Sequence, residues 1–177
     1  MPVVGVEDGS FQKGTTRKTV LATVLLKGHT LEDVRTADIL VDGLDATEKL
    51  KKLLHGWTFN VVFLAGISFA GFNIVDPAKI HEQFKKPVIV VTRTKPDNRA
   101  VKRALRRHFE DWETRWDVFA KLGPFLEIIT SLGRQPIYVT AIGESLGWAC
   151  KLVRALCVCG RVPEPLRIAR LIARGLS

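Results

Sequence analysis

The sequence lacks the features that mark membrane and secreted proteins. No apolar run in its 177 residues reaches about 18, so we expect no transmembrane helix. The first residues, MPVVGVEDGSF, contain two acidic side chains and no long apolar segment, which argues against a secretory signal peptide. Only three cysteines occur, Cys150, Cys157 and Cys159, and an odd number in one short segment does not make a disulfide framework. We therefore expect a cytoplasmic protein that makes no membrane contact.

Several common catalytic and cofactor motifs are also absent from the sequence. It contains no Walker loop, no GxGxxG and no GxSxG, which argues against P-loop, dinucleotide-binding and serine-hydrolase chemistry. Cys157-x-Cys159 lacks the two-residue spacer of zinc and redox motifs, and its apolar surroundings favour buried thiols. The four histidines share no ligand spacing.

Acidic residues are few relative to basic ones. There are 27 Lys and Arg against 18 Asp and Glu, which gives a net charge of +9, and the pI is near 9.8. A domain this basic is typical of nucleic-acid binders, although a generic basic surface has the same composition. The basic residues cluster in the helical stretch 97–120. Spacings of three and four place them largely on one helix face, as a phosphate-binding stripe or a solvated face: Arg99, Lys102, Arg103, Arg106 and Arg107.

Hydrophobic patterning predicts a single α/β domain over residues 1–177. The predicted strands are residues 2–6, 19–27, 31–40, 59–66, 87–93 and 136–141, and the predicted helices are residues 45–55, 77–85, 97–120, 144–159 and 163–174. A hairpin followed by alternating strands and helices implies a mixed sheet, parallel in its centre and antiparallel at one edge.

Four aspartates lie where open α/β sheets place their ligands. Asp8 ends the first predicted strand, Asp42 and Asp45 precede the first helix, and Asp76 follows the buried strand at 59–66. Carboxylates that converge from separate strands form an oxygen site suited to Mg²⁺ or Mn²⁺. Such ions activate a water and stabilise the leaving oxygen of a phosphodiester. We therefore predict a metal site.

Each of these aspartates also has a structural interpretation. Asp45 suits a helix N-cap, with Glu48 three residues later as in a capping box. Asp42 suits a turn, and Asp76 before Pro77 suits an N-cap. Asp8 has the weakest structural alternative, because a Glu-Asp pair at the end of an apolar strand has no evident structural purpose.

The end of the chain resembles endonuclease V. Residues 136–147, PIYVTAIGESLG, and 160–170, GRVPEPLRIAR, match the strand, glycine turn and Gly-x-Arg-x-Pro-Glu-Pro-x-Arg-x-Ala segment of that family. Residues 5–11, GVEDGSF, look like its first strand with one residue inserted. The segment 69–76, FAGFNIVD, and the whole layout look closer to an archaeal family related to endonuclease V, the endonuclease dU family.

This resemblance implies an RNase H-like fold with helices on both faces of the sheet and a Mg²⁺- or Mn²⁺-dependent nuclease that acts on DNA or RNA. By the resemblance, Asp8 takes the place of the first-strand metal ligand, and Asp45, or its neighbour Asp42, that of the helix-start glutamate. Arg93 falls on the family's strand lysine and would contact phosphate, together with the basic helix. Uracil- or hypoxanthine-containing DNA is the implied substrate, which points to DNA repair.

The sequence also departs from endonuclease V. Ala65 stands where that family has its second strand aspartate, which leaves Asp76 as the candidate for the missing ligand. Arg170 stands where some members carry a metal-binding side chain, and a cation cannot ligate a metal. The wedge that opens a damaged base pair is not recognisable between residues 28 and 45. These departures keep a second hypothesis open, a catalytically degenerate nucleic-acid-binding module, and a third, a scaffold in a larger complex.

Overall fold

The computed structural model describes residues 1–130 and 134–177. The strands in this part of the chain are β1 (Pro2–Asp8), β2 (Lys18–Lys27), β3 (Thr30–Leu40), β4 (Val61–Ala65), β5 (Ser68–Phe69), β6 (Asn73–Ile74), β7 (Val88–Thr92), β8 (Leu126–Ile128) and β9 (Ile137–Ile142). The helices are α1 (Ala46–Leu54), α2 (Pro77–Phe84), α3 (Asn98–His108), α4 (Trp112–Ala120), α5 (Leu146–Leu156) and α6 (Glu164–Gly175). No helix within these residues is long and apolar enough to cross a membrane.

Seven strands form one sheet in the order β3-β2-β1-β4-β7-β9-β8. The pairs β1–β4 and β4–β7 are parallel, and the remaining pairs are antiparallel. The prediction of a parallel centre is confirmed, but antiparallel pairs lie at both edges rather than one. The difference arises from β8, which is too short for its pattern to be detected. β8 runs parallel to β7. The next strand, β9, lies between them and is antiparallel to both.

Helices cover both faces of the sheet, as the resemblance implied. Strand alternation divides β1 between two cores, since successive side chains point to opposite faces. Val4 and Val6 belong to the core that includes Leu50 of α1, whereas Val3 belongs to the core under α5 and α6. The carboxyl ends of β1, β4 and β7 therefore meet at one edge of the sheet between two helical layers. Within the described residues the fold is an RNase H-like mixed sheet.

The single helix predicted over 97–120 is two helices. α3 ends at His108, and the next residue, Phe109, has an extended backbone with φ −134° and ψ 129°. The Phe109 ring packs edge-on against Phe72 at 5.6 Å between centroids, and the guanidinium of Arg115 lies 4.2 Å from its centre. Because this ring is drawn towards the body of the protein, the chain turns there and α4 begins anew. The charged pattern alone does not show this break.

The capping box predicted at Asp45 and Glu48 is wrong. The Asp45 carboxylate accepts hydrogen bonds from Leu40 N at 3.1 Å and Asn73 Nδ2 at 2.6 Å, and Glu48 pairs with Lys51. The first N–H of α1 is instead bound by the side-chain oxygen of Asn73, at 2.9 Å. A residue 27 positions away along the chain thus replaces the local cap.

Two glycines bring α6 close to β1. Gly5 and Gly9 point to the α6 face, and a Cβ at Gly5 would collide with the carbonyl oxygen of Pro165. A Cβ at Gly9 would lie 2.9 Å from the Ala173 carbonyl oxygen and 2.7 Å from Ser177 Cβ. The helix therefore lies directly on the strand from its first turn to its last.

We expect Gly5→Ala to lower the free energy of unfolding by about 3 kcal/mol, because the added methyl group meets backbone that a side-chain rotation cannot move. Urea denaturation measures this loss. Gly147→Ala in α5 is the matched control, since a Cβ there meets no atom of the described chain within 4 Å. A loss at Gly5 no larger than that at Gly147 would show that α6 shifts freely.

Candidate active site

Two adjacent carboxylates, Glu7 and Asp8, end strand β1 at the edge where the parallel strands finish. The Asp8 side chain accepts a hydrogen bond from the backbone N–H of Ala70, at 2.6 Å. Glu7 lies on the opposite face of the strand, beneath α6, with Gly5 and Gly9 on either side of it on that face. The close approach that these glycines allow explains why a glutamate is only 8% exposed.

The Glu7 carboxylate is poorly compensated. Its Oε2 atom is buried and has no hydrogen-bond partner within residues 1–130 and 134–177. A terminal nitrogen of Arg93 lies 3.9 Å from that oxygen, which is an ion-pair distance but too long for a hydrogen bond. An unpaired buried carboxylate oxygen is costly in the folded state, so it needs a ligand, a proton or a function.

Burial, with a smaller contribution from the neighbouring Asp8 charge, raises the pKa of Glu7 to about 7 against the opposing effect of Arg93. The pKa of Asp8 is also raised by burial, while the hydrogen bond from Ala70 opposes that shift. The two carboxyl groups are therefore coupled, because a negative charge on Asp8 favours a proton on Glu7. A pair of this kind readily binds one proton. When the proton leaves, the two carboxylates can bind a cation instead.

Glu7 should make the protein less stable as the pH rises from about 4.5 to 7 in metal-free buffer. Its pKa is higher in the folded than in the unfolded chain, so the folded state binds more protons in this window and stability falls as they leave. The expected loss is about 2–3 kcal/mol. Urea denaturation between pH 4.5 and 8 measures it, and Glu7→Gln should remove that part of the slope. An identical slope in the variant would contradict a buried, titrating Glu7.

Two arginines, Arg93 and Arg170, lower the pKa of the Glu7 carboxyl group. The pKa of Arg93 is lowered by burial and by the charge of Arg170, which together outweigh the effect of Glu7. Arg174 acts on Arg93 in the same direction. Beside Glu7 and Arg93 a cleft of about 230 Å³ opens, and its wall also contains Thr92 and Thr94. The cleft therefore presents one carboxylate and one guanidinium group side by side.

The other predicted carboxylates hold loops in place. Asp42, in a left-handed turn with φ 57°, accepts a hydrogen bond from the N–H of Phe72 at 2.8 Å. Asp45 binds Leu40 and Asn73, as described above. Asp76 caps α2 by accepting hydrogen bonds from two backbone N–H groups, at 3.0 and 3.3 Å. The structural interpretations of Asp42 and Asp76, as turn and cap, are thus realised in the fold.

In the described residues, no three His, Cys, Asp or Glu side chains form a group that could hold a metal. The expected convergence of Asp8, Asp45 and Asp76 on one ion is therefore not found. Asp45 and Asp76 are drawn instead to the starts of α1 and α2, where backbone N–H groups and Asn73 satisfy them. Asp8 remains beside a different partner, Glu7.

A larger apolar cavity of about 400 Å³ opens at the same edge of the sheet. Thr92 and Thr94 line both this cavity and the cleft beside Glu7. Its apolar wall includes Phe119, Leu122 and Phe125, which pack against the core on the α1 face. The edge thus presents a charged cleft and an aromatic cavity side by side.

The basic residues predicted on one helix face do lie together. They line an open groove of about 450 Å³ on α3: Arg99, Lys102, Arg103, Arg106 and Arg107. Trp112 and Trp116 lie on α4, and each of their rings lies under one of these cations.

Sequence reasoning missed Glu7 as a site residue. The position at the strand end and the resemblance both point to Asp8, and they give Glu7 no role beyond its place in the Glu-Asp pair. A signal was present in the alternation Gly5-x-Glu7-x-Gly9, which places glutamate between two glycines on one face of an otherwise apolar strand.

The whole chain matches one protein family. The model described as endonuclease dU matches residues 1–177. This chain belongs to the endonuclease dU family. One relative, the UPF0215 protein of Thermococcus gammatolerans, is 40% identical over 178 residues. The match covers 97% of this chain and 89% of the relative.

Solved structures similar to this endonuclease dU family member agree with its fold. A crystal structure of an Archaeoglobus fulgidus protein matches with a TM-score of 0.85 and 33% identity, covering 97% of this chain and 95% of that one. Endonuclease V of Ciona intestinalis, in complex with a 24mer DNA containing an inosine followed by a ribo-adenosine, matches with a TM-score of 0.64 and 18% identity. That match covers 98% of this chain and 84% of the endonuclease V chain. The resemblance to an endonuclease-V-like family is confirmed.

Proposed function

We propose that this protein is a divalent-metal-dependent endonuclease that cleaves DNA containing a deaminated base. One observation carries the proposal. The buried Oε2 of Glu7 lacks a hydrogen-bond partner within the described residues, beside Asp8 and a cleft, in a member of an endonuclease family. A fold that keeps so costly a group at its ligand-binding edge retains it for chemistry.

Glu7 and Asp8 fit a Mg²⁺ or Mn²⁺ ion. Mg²⁺ is commonly held by one or two carboxylates, with waters and substrate phosphate oxygens completing its shell, so two protein ligands suffice. Both side chains supply hard oxygen atoms, and the unpaired Oε2 is available to a cation. When bound, such an ion supplies activation of a water and neutralisation of charge on the phosphate.

Arg93 at the cleft, with Arg170 of α6, would bind and orient the phosphate that is cleaved. Arg93 lies within 3.9 Å of Glu7, and its guanidinium offers paired N–H donors that match phosphate oxygens. Arg170 acts on the same carboxylate from α6, in the position where the resemblance expects a ligand. Positive charge at this place would hold substrate rather than metal.

The aromatic cavity suits the base that the enzyme recognises. Its volume of about 400 Å³ lies within the range of small-molecule sites. Its apolar wall would receive a flat base displaced from the stack, and polar groups such as Asn98 at its rim would contact the edge of that base. We infer that selection of uracil or hypoxanthine takes place here.

Cleavage of defined oligonucleotides tests the function. Single- and double-stranded DNA and RNA, each with uracil, hypoxanthine or only ordinary bases, would be incubated in Mg²⁺, Mn²⁺ or EDTA. We expect nicking of the modified DNA in metal and none in EDTA. Absence of nicking under every condition, with salt-sensitive binding retained, would favour the degenerate binding module, for which the missing third carboxylate and Arg170 already argue.

A further inference from the structure

The exposed face of α3 carries five cations and no acid in the helix sequence NRAVKRALRRH. Arg99, Arg103 and Arg106 lie along one line of the helix, and Leu105 is buried on another side. All five cations line one open groove. Every residue that lines the groove is therefore positively charged.

These cations have no ionic partners of their own in the described part of the chain. None of the five takes part in a salt bridge within residues 1–130 and 134–177. Like charges three and four residues apart on a helix repel one another, so the arrangement lowers helix stability. An anionic partner that neutralises several charges at once would remove this cost.

Tryptophans of α4 hold two of the cations in place. Lys102 Nζ lies 5.1 Å from the centre of the Trp116 ring, and the Arg106 guanidinium lies 5.2 Å from that of Trp112. Cation–π contacts of this kind restrict long side chains that would otherwise be mobile in solvent. The charged face is thereby organised before any partner arrives.

The α3–α4 pair is also tied to the candidate active site. Arg115 of α4 donates hydrogen bonds to the carbonyl oxygens of Gly43 and Phe72, at 2.9 and 2.6 Å. Two residues before Phe72, Ala70 binds the carboxylate of Asp8. At its other end, α3 follows Arg93 after a loop of residues 94–97. The basic face therefore has a fixed position relative to the cleft.

We propose that α3 binds the phosphate backbone of the DNA that flanks the cleaved bond, an inference that rests on the proposed function. From Arg99 to Arg107 the helix rises about 12 Å, which spans about three phosphates of one strand. Guanidinium groups pair with phosphate oxygens through two parallel hydrogen bonds, whichever bases are present. The contact is therefore independent of sequence and of base damage.

Salt dependence of binding tests this contact apart from cleavage. Fluorescence anisotropy of a labelled, unmodified DNA duplex would be followed against NaCl concentration in EDTA. In the triple variant Arg99→Gln, Arg103→Gln and Arg106→Gln, we expect the slope of log K against log salt to shrink by about 2.7, which is three contacts at 0.9 each. Circular dichroism would verify the helix, which glutamine supports well.

The matched control removes three exposed charges elsewhere, in Lys27→Gln, Lys52→Gln and Lys79→Gln. We expect its slope to stay within about 1 of the wild-type value, since only long-range charge is lost. Equal slopes in the two triple variants would overturn the proposal. Loss of binding to anionic vesicles but not to DNA in the α3 variant would also overturn it, in favour of a membrane surface.

Cleavage results separate this inference from the proposed function. A reduced slope in the α3 variant of a protein that nicks no DNA would support the contact while the endonuclease proposal fails. Normal nicking with an unchanged slope would do the reverse.

Discussion

Replacing Asp8 by asparagine is expected to lower DNA cleavage on the order of a thousandfold, because a carboxylate that holds the metal loses its charge. The change removes little else. Asparagine has the same shape, and its side-chain oxygen still accepts the hydrogen bond from Ala70 N. Cleavage of uracil- or hypoxanthine-containing DNA in Mn²⁺ would be measured together with urea denaturation.

Glu7→Gln is expected to lower cleavage to a similar extent, while stability moves the other way. The neutral amide removes a buried charge whose Oε2 has no hydrogen-bond partner in the described chain, so the variant should be more stable than the wild type at pH 8 without metal. Mn²⁺ should raise the melting temperature of the wild type and of neither variant. A gain in stability with a loss of activity marks a residue kept for function.

Asp76→Asn is the control that distinguishes the two candidate ligand sets. Asparagine caps helices as well as aspartate does, so the start of α2 should be preserved. Because Asp76 caps that helix, we expect the cleavage rate to stay within about twofold of wild type. This change is well below the tenfold effect that about 1.4 kcal/mol of activation free energy produces. A thousandfold loss in Asp76→Asn would reinstate the ligand set that the sequence predicted.

Replacing Arg115 by methionine is expected to lower the free energy of unfolding by about 2–4 kcal/mol. The side chain is only 6% exposed, and its loss leaves the carbonyl oxygens of Gly43 and Phe72 without their donor. Asp111 also loses its partner, at 2.9 Å. Methionine fills similar space, so the loss measures the polar contacts rather than a cavity.

Urea denaturation of Arg115→Met would be compared with that of Lys121→Met. Lys121 pairs with Asp117 on the same helix, four residues apart, and both side chains are exposed. Exposed pairs of this kind contribute about 0.3–0.5 kcal/mol, so the control should change little. A loss below about 1 kcal/mol in Arg115→Met would show that α4 does not depend on this anchor.

The sequence determined the elements whose patterns are strong. Long apolar strands such as β2 and β4, and the basic face of α3, follow from local periodicity, because side chains two or three to four residues apart share a face whatever surrounds them. Short strands such as β8 and the break between α3 and α4 do not follow from it. Three residues carry no period, and Phe109 ends the helix because of Phe72, which lies 37 positions earlier.

For the candidate site, the sequence by itself indicated that acidic residues lie at strand ends and helix starts, and that Asp8 has the weakest structural alternative among them. Only the tertiary structure decided which carboxylates are already satisfied and which are not. Asn73, which is distant in sequence, engages Asp45, and α6, brought close by Gly5 and Gly9, buries Glu7 and leaves its Oε2 without a hydrogen-bond donor in the described residues. The cap that Asp76 provides to α2 is local, as the sequence predicted. Hydrogen-bond satisfaction and desolvation depend on neighbours from the whole fold, and a pattern along the chain does not contain them.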